Sequence, residues 1–386
     1  MKQNQGNKQK NIQSNPLRKI MVMIIAMIFV FTDCQKNTKQ FLLLLLIDNS
    51  SNATTDSGSG SGGGSGGSGS GSGNGSGGGS GGSGSGSGNG SGSGGQTFTP
   101  AIGVLDTSFN SPNGSIIQPI GSSSDLGLSL AIQPDGKILL GGHCRGVSNY
   151  DFCIARFNSN GTLDTSFGSS GKVIQDIGSG DDTGLSLAIQ PDGKILLGGY
   201  CFDGIHTDFC IARFNSNGTL DTSFGTGGKV IQDIGSANDT GQSLAIQSDG
   251  KILLGGHCFN GSNMDFCIAR FNSNGTLDTT FGSSGKVIQP IGSSDDGVHS
   301  LAIQPDGKIL LGGPCSNGSN NDFCIARFNS NGTLDTSFGS SGKVIQPIGS
   351  SYDLGYSLAI QTDGKILLGG YCKNAGNKDF CIARFE

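Results

Sequence analysis

The chain has 386 residues, of which 70 are glycine and only 14% are charged, and this composition is unlike that of an average globular protein. Residues 100–386 carry 17 Lys/Arg against 26 Asp/Glu, whereas residues 1–99 carry seven against three. Because so acidic a body lacks the basic surface that nucleic-acid binding needs, we expect no nucleic-acid partner. Glutamate occurs once, at Glu386, and long helices are therefore not expected.

The first 34 residues have the order of an export signal. Several Lys/Arg residues precede an apolar run at residues 20–31, as in a secretory signal. Those 12 residues would rise only about 18 Å as a helix, short of the roughly 30 Å hydrocarbon core, so a transmembrane span is disfavoured. Cys34 closes the run, and the arrangement resembles a bacterial lipoprotein signal. We predict that Cys34 is lipidated and anchors the exported chain to a membrane.

Asp33 departs from that resemblance, because lipoprotein signals usually carry a small residue just before the cysteine. An uncleaved signal anchor is the alternative, and a second apolar run at residues 41–47 adds membrane affinity to it. Both interpretations place the body outside the cytoplasm. The expected location is the outer membrane or cell surface, with the periplasmic face of a membrane as an alternative.

A tether separates this signal from the body. Residues 35–56 are interpreted as a short juxtamembrane segment, and residues 57–99 as a linker. The first 39 linker residues are all Ser or Gly except Asn74 and Asn89. Without apolar side chains, burial cannot offset the entropy of ordering, so this linker is predicted to be disordered. The body is predicted to span residues 100–386 and to be monomeric.

A repeat of 57 residues runs through the body. Each copy reads approximately SLAIQPDGKILLGGxC, a variable loop, DFCIARFNSNGTLDTSFG and SSGKVIQxIG. Self-comparison therefore gives five tandem copies. Ten cysteines fall in two series with this spacing: Cys144, Cys201, Cys258, Cys315 and Cys372, and Cys153, Cys210, Cys267, Cys324 and Cys381.

Four short β-rich segments make up one copy. In the second copy they cover residues 186–190, 194–201, 208–215 and 229–234. The Pro-Asp-Gly that ends at Gly193 has the chemistry of a tight hairpin. Four strands in a repeat of this length are typical of a propeller blade. We predict an all-β, five-bladed β-propeller; a β-solenoid is the alternative, although its coils are shorter and lack such hairpins.

The two ends of the repeat array predict how the ring closes. The chain stops after the third strand of the fifth copy, and an orphan copy of the missing part stands at residues 105–109 and 115–120. We expect the strand 115–120 to pair with the last copy, which would complete that blade and remove an exposed edge.

The repeats resemble the delta-60 repeat proteins, whose DUF5122-type units are predicted β-propellers of unknown function. The resemblance covers residues 104–386 and rests on the runs PDGKIL, DF, ARFN, NGTLDTSFG and GK. It implies the fold and brings no activity, cofactor or site. The family's usual pattern does not require the two cysteines, and this chain departs from it there.

Two cysteines lie nine positions apart in each copy, on either side of one hairpin, for example Cys201 and Cys210. If these two face each other, Leu197 faces Phe214 in the same sheet. A cross-strand disulfide is the expected outcome in an exported protein, so we predict five disulfides. Buried free thiols and a zinc site are the alternatives, and the spacing fits zinc poorly.

One Asp precedes the first strand of every copy. A ring of such acids could bind Ca²⁺, but no D-x-D-x-D-G loop is present and a single Asp per loop more often caps a turn. We therefore predict no metal site and no cofactor. The four histidines are expected at the surface. Asp208 and Arg213 on one strand are expected to form an ion pair between blades or to cap a turn.

Catalysis needs an asymmetric set of acid, base or nucleophile in tuned environments. Nearly every ionisable residue of this body is repeated in the same surroundings. We therefore predict no catalytic residues and a protein that is not an enzyme. A hydrolase or lyase on a propeller scaffold is the alternative.

Differences between the copies concentrate between the paired cysteines. In propeller topology these loops emerge on the same face as the loops before the first strands, and the PDG and NSNGTLDTSFG turns emerge on the other. We predict that the first face binds an unknown protein or glycan partner. A spacer or coat protein whose unconstrained loops have drifted is the alternative. The candidate binding residues are Arg145, Tyr150, Phe202, His206, Phe259, Met264, Lys373 and Lys378.

Overall fold

The computed structural model describes residues 103–386. Cys34 and the segments 1–34, 35–56 and 57–99 lie outside the described residues, and the expectations about them stay predictions. Within the described part the regular elements are β-strands, and no helix there has the length and apolarity needed to cross a membrane.

The described residues form 19 strands in five antiparallel sheets, which we name blades 1 to 5 in chain order. Blade 1 contains β1–β4, blade 2 β5–β8, blade 3 β9–β12, blade 4 β13–β16 and blade 5 β17–β19. The strands are β1 Asp125–Ile132, β2 Ile138–Arg145, β3 Tyr150–Phe157, β4 Lys172–Gln175, β5 Asp182–Ile189, β6 Ile195–Phe202, β7 Thr207–Phe214, β8 Lys229–Gln232, β9 Asp239–Ile246, β10 Ile252–Phe259, β11 Met264–Phe271, β12 Lys286–Gln289, β13 Ser300–Ile303, β14 Ile309–Ser316, β15 Asn321–Phe328, β16 Lys343–Gln346, β17 Asp353–Ile360, β18 Ile366–Asn374 and β19 Asn377–Phe385.

This architecture confirms the predicted all-β propeller of five repeats. The observed strands β6 and β7 match the predicted ones to within one residue, β8 ends at Gln232 and not at Ile234, and β5 begins at Asp182 and not at Ser186. The reason is a β-bulge between Gly184 and Ser186, beyond which the ladder to β6 continues. The Pro-Asp-Gly turn is also as expected, with Gly193 at a φ of +82° that favours glycine.

The hydrophobic core lies between successive blades. Phe209 and Ile211 on β7 of blade 2 pack with Leu244 and Leu254 of blade 3, and all four side chains are buried. The same contact recurs between the other consecutive blades. Blades 2 to 4 are therefore buried on both faces, one against the preceding blade and one against the following blade, and carry apolar residues on both.

Closure of the last blade by residues 115–120 is the one part of the fold prediction that the structure does not reproduce. These residues form no strand, and blade 5 has three strands with β19 at its edge. The N-terminal segment is held on blade 1 instead: the Asn110 amide donates to the Asn160 carbonyl at 2.7 Å, and Lys172 Nζ donates to the Pro119 carbonyl at 2.6 Å. These are the contacts that each blade's tail makes with the blade that follows it.

The two ends of the array consequently expose apolar side chains that are buried elsewhere. Phe380 of blade 5 is 101% exposed, whereas its counterpart Phe323 in blade 4 is 0% exposed. At the other end, Leu130 of blade 1 is 60% exposed, whereas its counterpart Leu187 is 1% exposed. A cavity of about 290 Å³ lies against the same side of blade 1, where a preceding blade would pack.

Candidate binding face

One end of the sheets carries the hairpin loops between the paired cysteines together with the segments that precede β1, β5, β9, β13 and β17; we call it the loop face. Hydrogen bonds cross from blade to blade here. The Tyr150 amide donates to Asp181 Oδ1 at 3.0 Å, and the Met264 amide donates to Asp295 Oδ1 at 3.0 Å. The loop face is therefore joined across blades by loop side chains that accept from the hairpin of the preceding blade.

Disulfides close the base of every hairpin loop on this face. Each predicted pair is bonded, with Cα–Cα separations of 5.7 to 5.9 Å. The predicted register was wrong by two residues, because Cys201 lies opposite Asp208 and Leu197 opposite Ala212. The bridge to Cys210 thus runs diagonally across the strand pair. Five disulfides suggest an extracellular or periplasmic location.

The structure places the eight predicted binding residues on this face, grouped by blade. Phe259 and Met264 are cross-strand neighbours in blade 3, as are Lys373 and Lys378 in blade 5. The Arg145 guanidinium lies over the Tyr150 ring, 5.5 Å from its centroid. The remaining two, Phe202 and His206, are half-buried in blade 2 and are not paired with each other.

An aromatic group in blade 5 was missed from the sequence. Lys373 Nζ lies 5.1 Å from the Tyr352 ring centroid, and Lys378 Nζ lies 4.7 Å from that of Tyr371. Like charges directly opposite each other destabilise a strand pair, and the cation–π contacts offset part of that cost. The signal was present in the sequence as Tyr352, which has no aromatic counterpart in the other four copies.

Three histidines are less exposed than predicted, since all four were expected at the surface. His143 is buried, and His257 and His299 are half-buried. Burial lowers the pKa of His257 to about 4 and that of His299 to about 3, so both are neutral at physiological pH. The His299 ring lies 4.8 Å from the Tyr356 ring, whose pKa burial raises. This His–Tyr pair gives the junction of blades 4 and 5 a composition that the other junctions lack.

The Asp before each first strand caps its own loop, as expected. In blade 2, Asp182 Oδ2 accepts from the Ile177 amide at 2.6 Å, and Oδ1 accepts from the Gly178 amide at 3.1 Å. Burial raises the pKa of Asp182 to about 6, although both amides act in the opposite direction. Burial, followed by the charge of Asp203, likewise raises the pKa of Asp208 to about 6.

Two groups of three carboxylates lie below the loop face, and they include Asp182 and Asp208. Cluster A, between blades 1 and 2, consists of Asp151, Asp176 and Asp182, and cluster B, between blades 2 and 3, consists of Asp208, Asp233 and Asp239. In each cluster one oxygen per residue lies within 4.8 Å of the others. The recurrent Asp was predicted as a capping residue, because the partner from the preceding blade, Asp151 or Asp208, lies 31 residues earlier in the sequence.

The predicted pairing of Asp208 with Arg213 was wrong. Arg213 Nε donates to Asp221 Oδ2 at 2.8 Å, at the opposite end of the sheet from the loop face. Its Nη1 donates to the carbonyl of Ser273 in the next blade at 2.5 Å, and its guanidinium lies over the Phe224 ring. The arginine therefore joins two blades at the end of the sheets opposite the loop face, which we call the turn end. Asp208 lies near the loop face instead.

Comparison with known proteins agrees with this architecture. A family model described as a β-propeller domain of unknown function, DUF5122, matches residues 133–167, 190–224, 247–281, 304–338 and 361–386. No curated protein matches the chain in sequence.

Among solved structures, the chain is similar to an endo-arabinase from Bacteroides thetaiotaomicron, with 13% identity, a TM-score of 0.38 and coverage of 70% of this chain and 98% of that one. It is also similar to a PQQ-bound aldose sugar dehydrogenase from Streptomyces coelicolor, with 13% identity, a TM-score of 0.38 and coverage of 70% of this chain and 84% of that one. A gluconolactonase from Xanthomonas campestris gives 12% identity, a TM-score of 0.35 and coverage of 63% and 68%.

These three similar proteins are enzymes by their descriptions. The prediction that this chain is not an enzyme was therefore wrong as an exclusion, because proteins with this kind of fold include catalysts. Likeness at this level of identity concerns the fold alone and specifies no reaction for the chain.

Proposed function

Because the five repeats of this chain belong to the DUF5122 β-propeller family, whose function is unknown, we propose a role from the geometry. The protein is an exported binding module, held at a membrane by lipidated Cys34, that contacts a protein or glycan partner through its loop face. The observation that carries this proposal is the concentration of the differences between copies on that face.

The two ends of the sheets differ in how much they vary. The loops between the cysteines read RGVSNYD, FDGIHTD, FNGSNMD, SNGSNND and KNAGNKD, whereas the opposite turns repeat NSNGTLDTSFG with few changes. A scaffold that keeps its framework and varies the loops on one end is typical of recognition surfaces.

The variable loops are also held in place. A disulfide closes each loop, and hydrogen bonds such as that from the Thr207 amide to Asn238 Oδ1, 3.2 Å, connect it to the next blade. Loops that are ordered before binding lose less conformational entropy when a partner arrives. A spacer protein would have no need of ordered loops.

Blade 5 offers the most specific chemistry on the face. Lys373 and Lys378 present two ammonium groups side by side, above the rings of Tyr352 and Tyr371. Tyrosine supplies flat apolar area together with a hydroxyl, and lysine supplies charge-assisted donors. This combination suits a sugar or peptide that carries a carboxylate or sulfate.

The test uses the full-length chain on an array of acidic and neutral glycans and on purified cell-surface proteins. One variant replaces the eight candidate residues with Ser, and a control variant replaces the exposed turn residues Asp135, Asp192, Asp249, Asp306 and Asp363 with Asn. We expect the wild type and the control to bind the same partner and the loop variant to lose it with an unchanged circular dichroism spectrum. Equal binding by all three would favour the spacer interpretation.

The anchor is tested separately. Intact-mass analysis of the chain extracted from membranes should show added lipid mass, and Cys34→Ser should abolish both that mass and membrane retention. An unmodified Cys34 in a membrane-retained chain would favour the uncleaved signal anchor.

A further inference from the structure

Clusters A and B are chemically unlike the equivalent positions elsewhere in the body. The middle acid, Asp176 in cluster A and Asp233 in cluster B, is replaced by proline at Pro119, Pro290 and Pro347. The other two acids recur in every copy. Two of the four junctions between consecutive blades therefore gain a carboxylate that the repeat does not need for folding.

The same two junctions have lost a hydrogen-bond donor. In blade 3, Asn260 Nδ2 donates to Asp265 Oδ2 at 2.5 Å, and in blade 4, Asn317 Nδ2 donates to Asp322 Oδ2 at 2.6 Å. The residues at this loop position in blades 1 and 2 are Gly146 and Asp203, which cannot donate from a side chain. Asp151 and Asp208 thus lack the partner that Asp265 and Asp322 have.

Each cluster also contains a buried carboxylate oxygen without a partner. Asp151 is 6% exposed and Asp239 is 0% exposed, and Oδ1 of each has no hydrogen-bond partner among the described residues. Asp322 also keeps one such oxygen, but its other oxygen accepts from Asn317. A buried, unpartnered carboxylate oxygen is costly, and three carboxylates within 4.8 Å add mutual repulsion.

One neighbouring cation per cluster does not balance this charge. Lys286 Nζ donates to the backbone carbonyl of Asp233 in cluster B, and Lys229 acts on Asp151 in cluster A. Each lysine offsets at most one of three negative charges. Asp203 in blade 2 and Asp181 beside Asp151 add further negative charge.

We propose that cluster A and cluster B each bind one calcium ion. Oxygen-only ligands are those that Ca²⁺ takes, and Ca–O distances of about 2.3 to 2.6 Å place opposite ligand oxygens up to about 5 Å apart, as in these clusters. The buried pair in each cluster forms the floor of the site. The exposed Asp176 or Asp233 faces solvent, where water completes the coordination.

Each ion would join two blades below the loop face, because every cluster takes ligands from both sides of a junction. Asp151 belongs to β3 of blade 1 and Asp182 to β5 of blade 2. The inference does not depend on the partner proposed above, since its readout is calcium binding alone.

Calorimetric titration of the full-length chain with calcium chloride tests the proposal. We expect two ions per chain with dissociation constants of about 10⁻⁴ to 10⁻³ M, the range of extracellular modules. Asp176→Pro and Asp233→Pro, which install the residue found at the other junctions, should each remove one ion, and the double variant should remove both. The control Asp192→Asn, at an exposed turn, should keep two.

A variant that gains a calcium site gives a second test, because loss of binding in the proline variants could also result from misfolding. Pro290→Asp combined with Asn260→Gly rebuilds the composition of cluster A at the junction of blades 3 and 4, and it should raise the stoichiometry to three. Absence of calcium binding in the wild type, or binding that survives the double proline variant, would overturn the proposal.

Discussion

Asp221 is buried at the turn end of blade 2, where it accepts from Arg213 at 2.8 Å and from Lys194 at 3.0 Å. Burial acts to raise its pKa, but the Ser223 hydroxyl, Lys194 and the charge of Arg213 together hold the pKa well below its ordinary value. The same arrangement recurs at Asp164, Asp278 and Asp335. In blades 1 to 3 this acid thus fixes the arginine that reaches the next blade.

Replacing this acid should destabilise the protein in a pH-dependent way. Asp221→Asn leaves the buried Arg213 guanidinium without its charged partner, and we expect a loss of about 2 kcal/mol at pH 7. A carboxyl whose pKa is lower in the folded state stabilises above its unfolded pKa of about 4 and loses that contribution as the pH falls. Urea denaturation at several pH values should therefore show the two proteins converging below about pH 4.

The matched control is Asp192→Asn. The Asp192 side chain is 57% exposed, and its Oδ2 lies 3.8 Å from Lys194 Nζ, which is a long ion pair at the surface. The substitution should change the stability by less than about 0.5 kcal/mol at any pH. A constant difference between wild type and Asp221→Asn down to pH 2 would contradict the assignment.

The roles of single residues were predictable only where the partner is close in sequence. Asp192 in its turn and Asp182 at its loop are local, and both were predicted as structural. Arg213 was assigned the wrong acid because Asp208 is nearer along the strand, whereas Asp221 comes back beside it only after the turn. Cluster A was not predicted either, since Asp151 lies 31 residues before Asp182 and meets it only across a blade junction.

At the scale of one strand, a glycine on β10 sets how closely two blades approach. A Cβ atom on Gly255 would lie 2.7 Å from Leu311 Cδ2 and 2.9 Å from Leu301 Cδ1, both in the next blade. The equivalent Gly369 on β18 has no blade beyond it, and its nearest neighbour would be Ile382 Cγ1 at 3.6 Å. The same residue type therefore carries a packing constraint in one blade and none in the other.

Substitution by valine should separate these two glycines. Gly255→Val overpacks a buried junction and should cost about 1 to 3 kcal/mol. Gly369→Val should be neutral or slightly stabilising, because valine favours strands and meets ordinary contacts there. Denaturation midpoints of both variants check the prediction, and an equal cost at Gly369 would indicate that a further blade packs on blade 5.

The disulfide of each blade should stabilise its hairpin measurably. For a closed loop of about ten residues the chain-entropy model gives roughly 2.7 kcal/mol per bridge. Under oxidising conditions the double variant Cys258→Ala and Cys267→Ala should therefore have a lower denaturation midpoint than the wild type. Under reducing conditions the two midpoints should be equal. An unchanged midpoint would mean that the β10–β11 ladder alone holds this hairpin.

Blade elements were largely predictable, whereas their fine register was not. Period-two patterns and Pro-Asp-Gly turns mark strands and hairpins locally, and the repeat multiplies that signal five times. The cysteine pair predicted a direct cross-strand alignment, but the ladder places Cys201 opposite Asp208. A disulfide tolerates a diagonal geometry, so its presence does not fix the register.

At the scale of the whole molecule, the two end blades differ from the three between them. Phe380 and Ile382 lie exposed on blade 5, and Leu130 and Ile132 lie exposed on blade 1. The cut points of the repeats predicted that residues 115–120 would join these ends. Sequence complementarity alone does not decide closure, which also depends on how closely and at what angle successive blades pack, as at Gly255 against Leu301 and Leu311.

Hydrogen exchange can distinguish the open array from a closed one, because β15 and β19 carry nearly the same sequence in different positions. The ladder of β15 pairs with β14 on one side and β16 on the other, whereas β19 pairs with β18 only. Amides of β19 that point away from β18 should therefore exchange much faster than their β15 counterparts, since an edge strand leaves them open to water. The residues before the shared Asp-Phe-Cys, Asn321 in one case and Lys378 in the other, give distinguishable peptides for mass spectrometry. Equal protection at every protein concentration would mean that residues 115–120 pair with β19 within one chain, and protection that rises with concentration would mean that a second copy covers this edge.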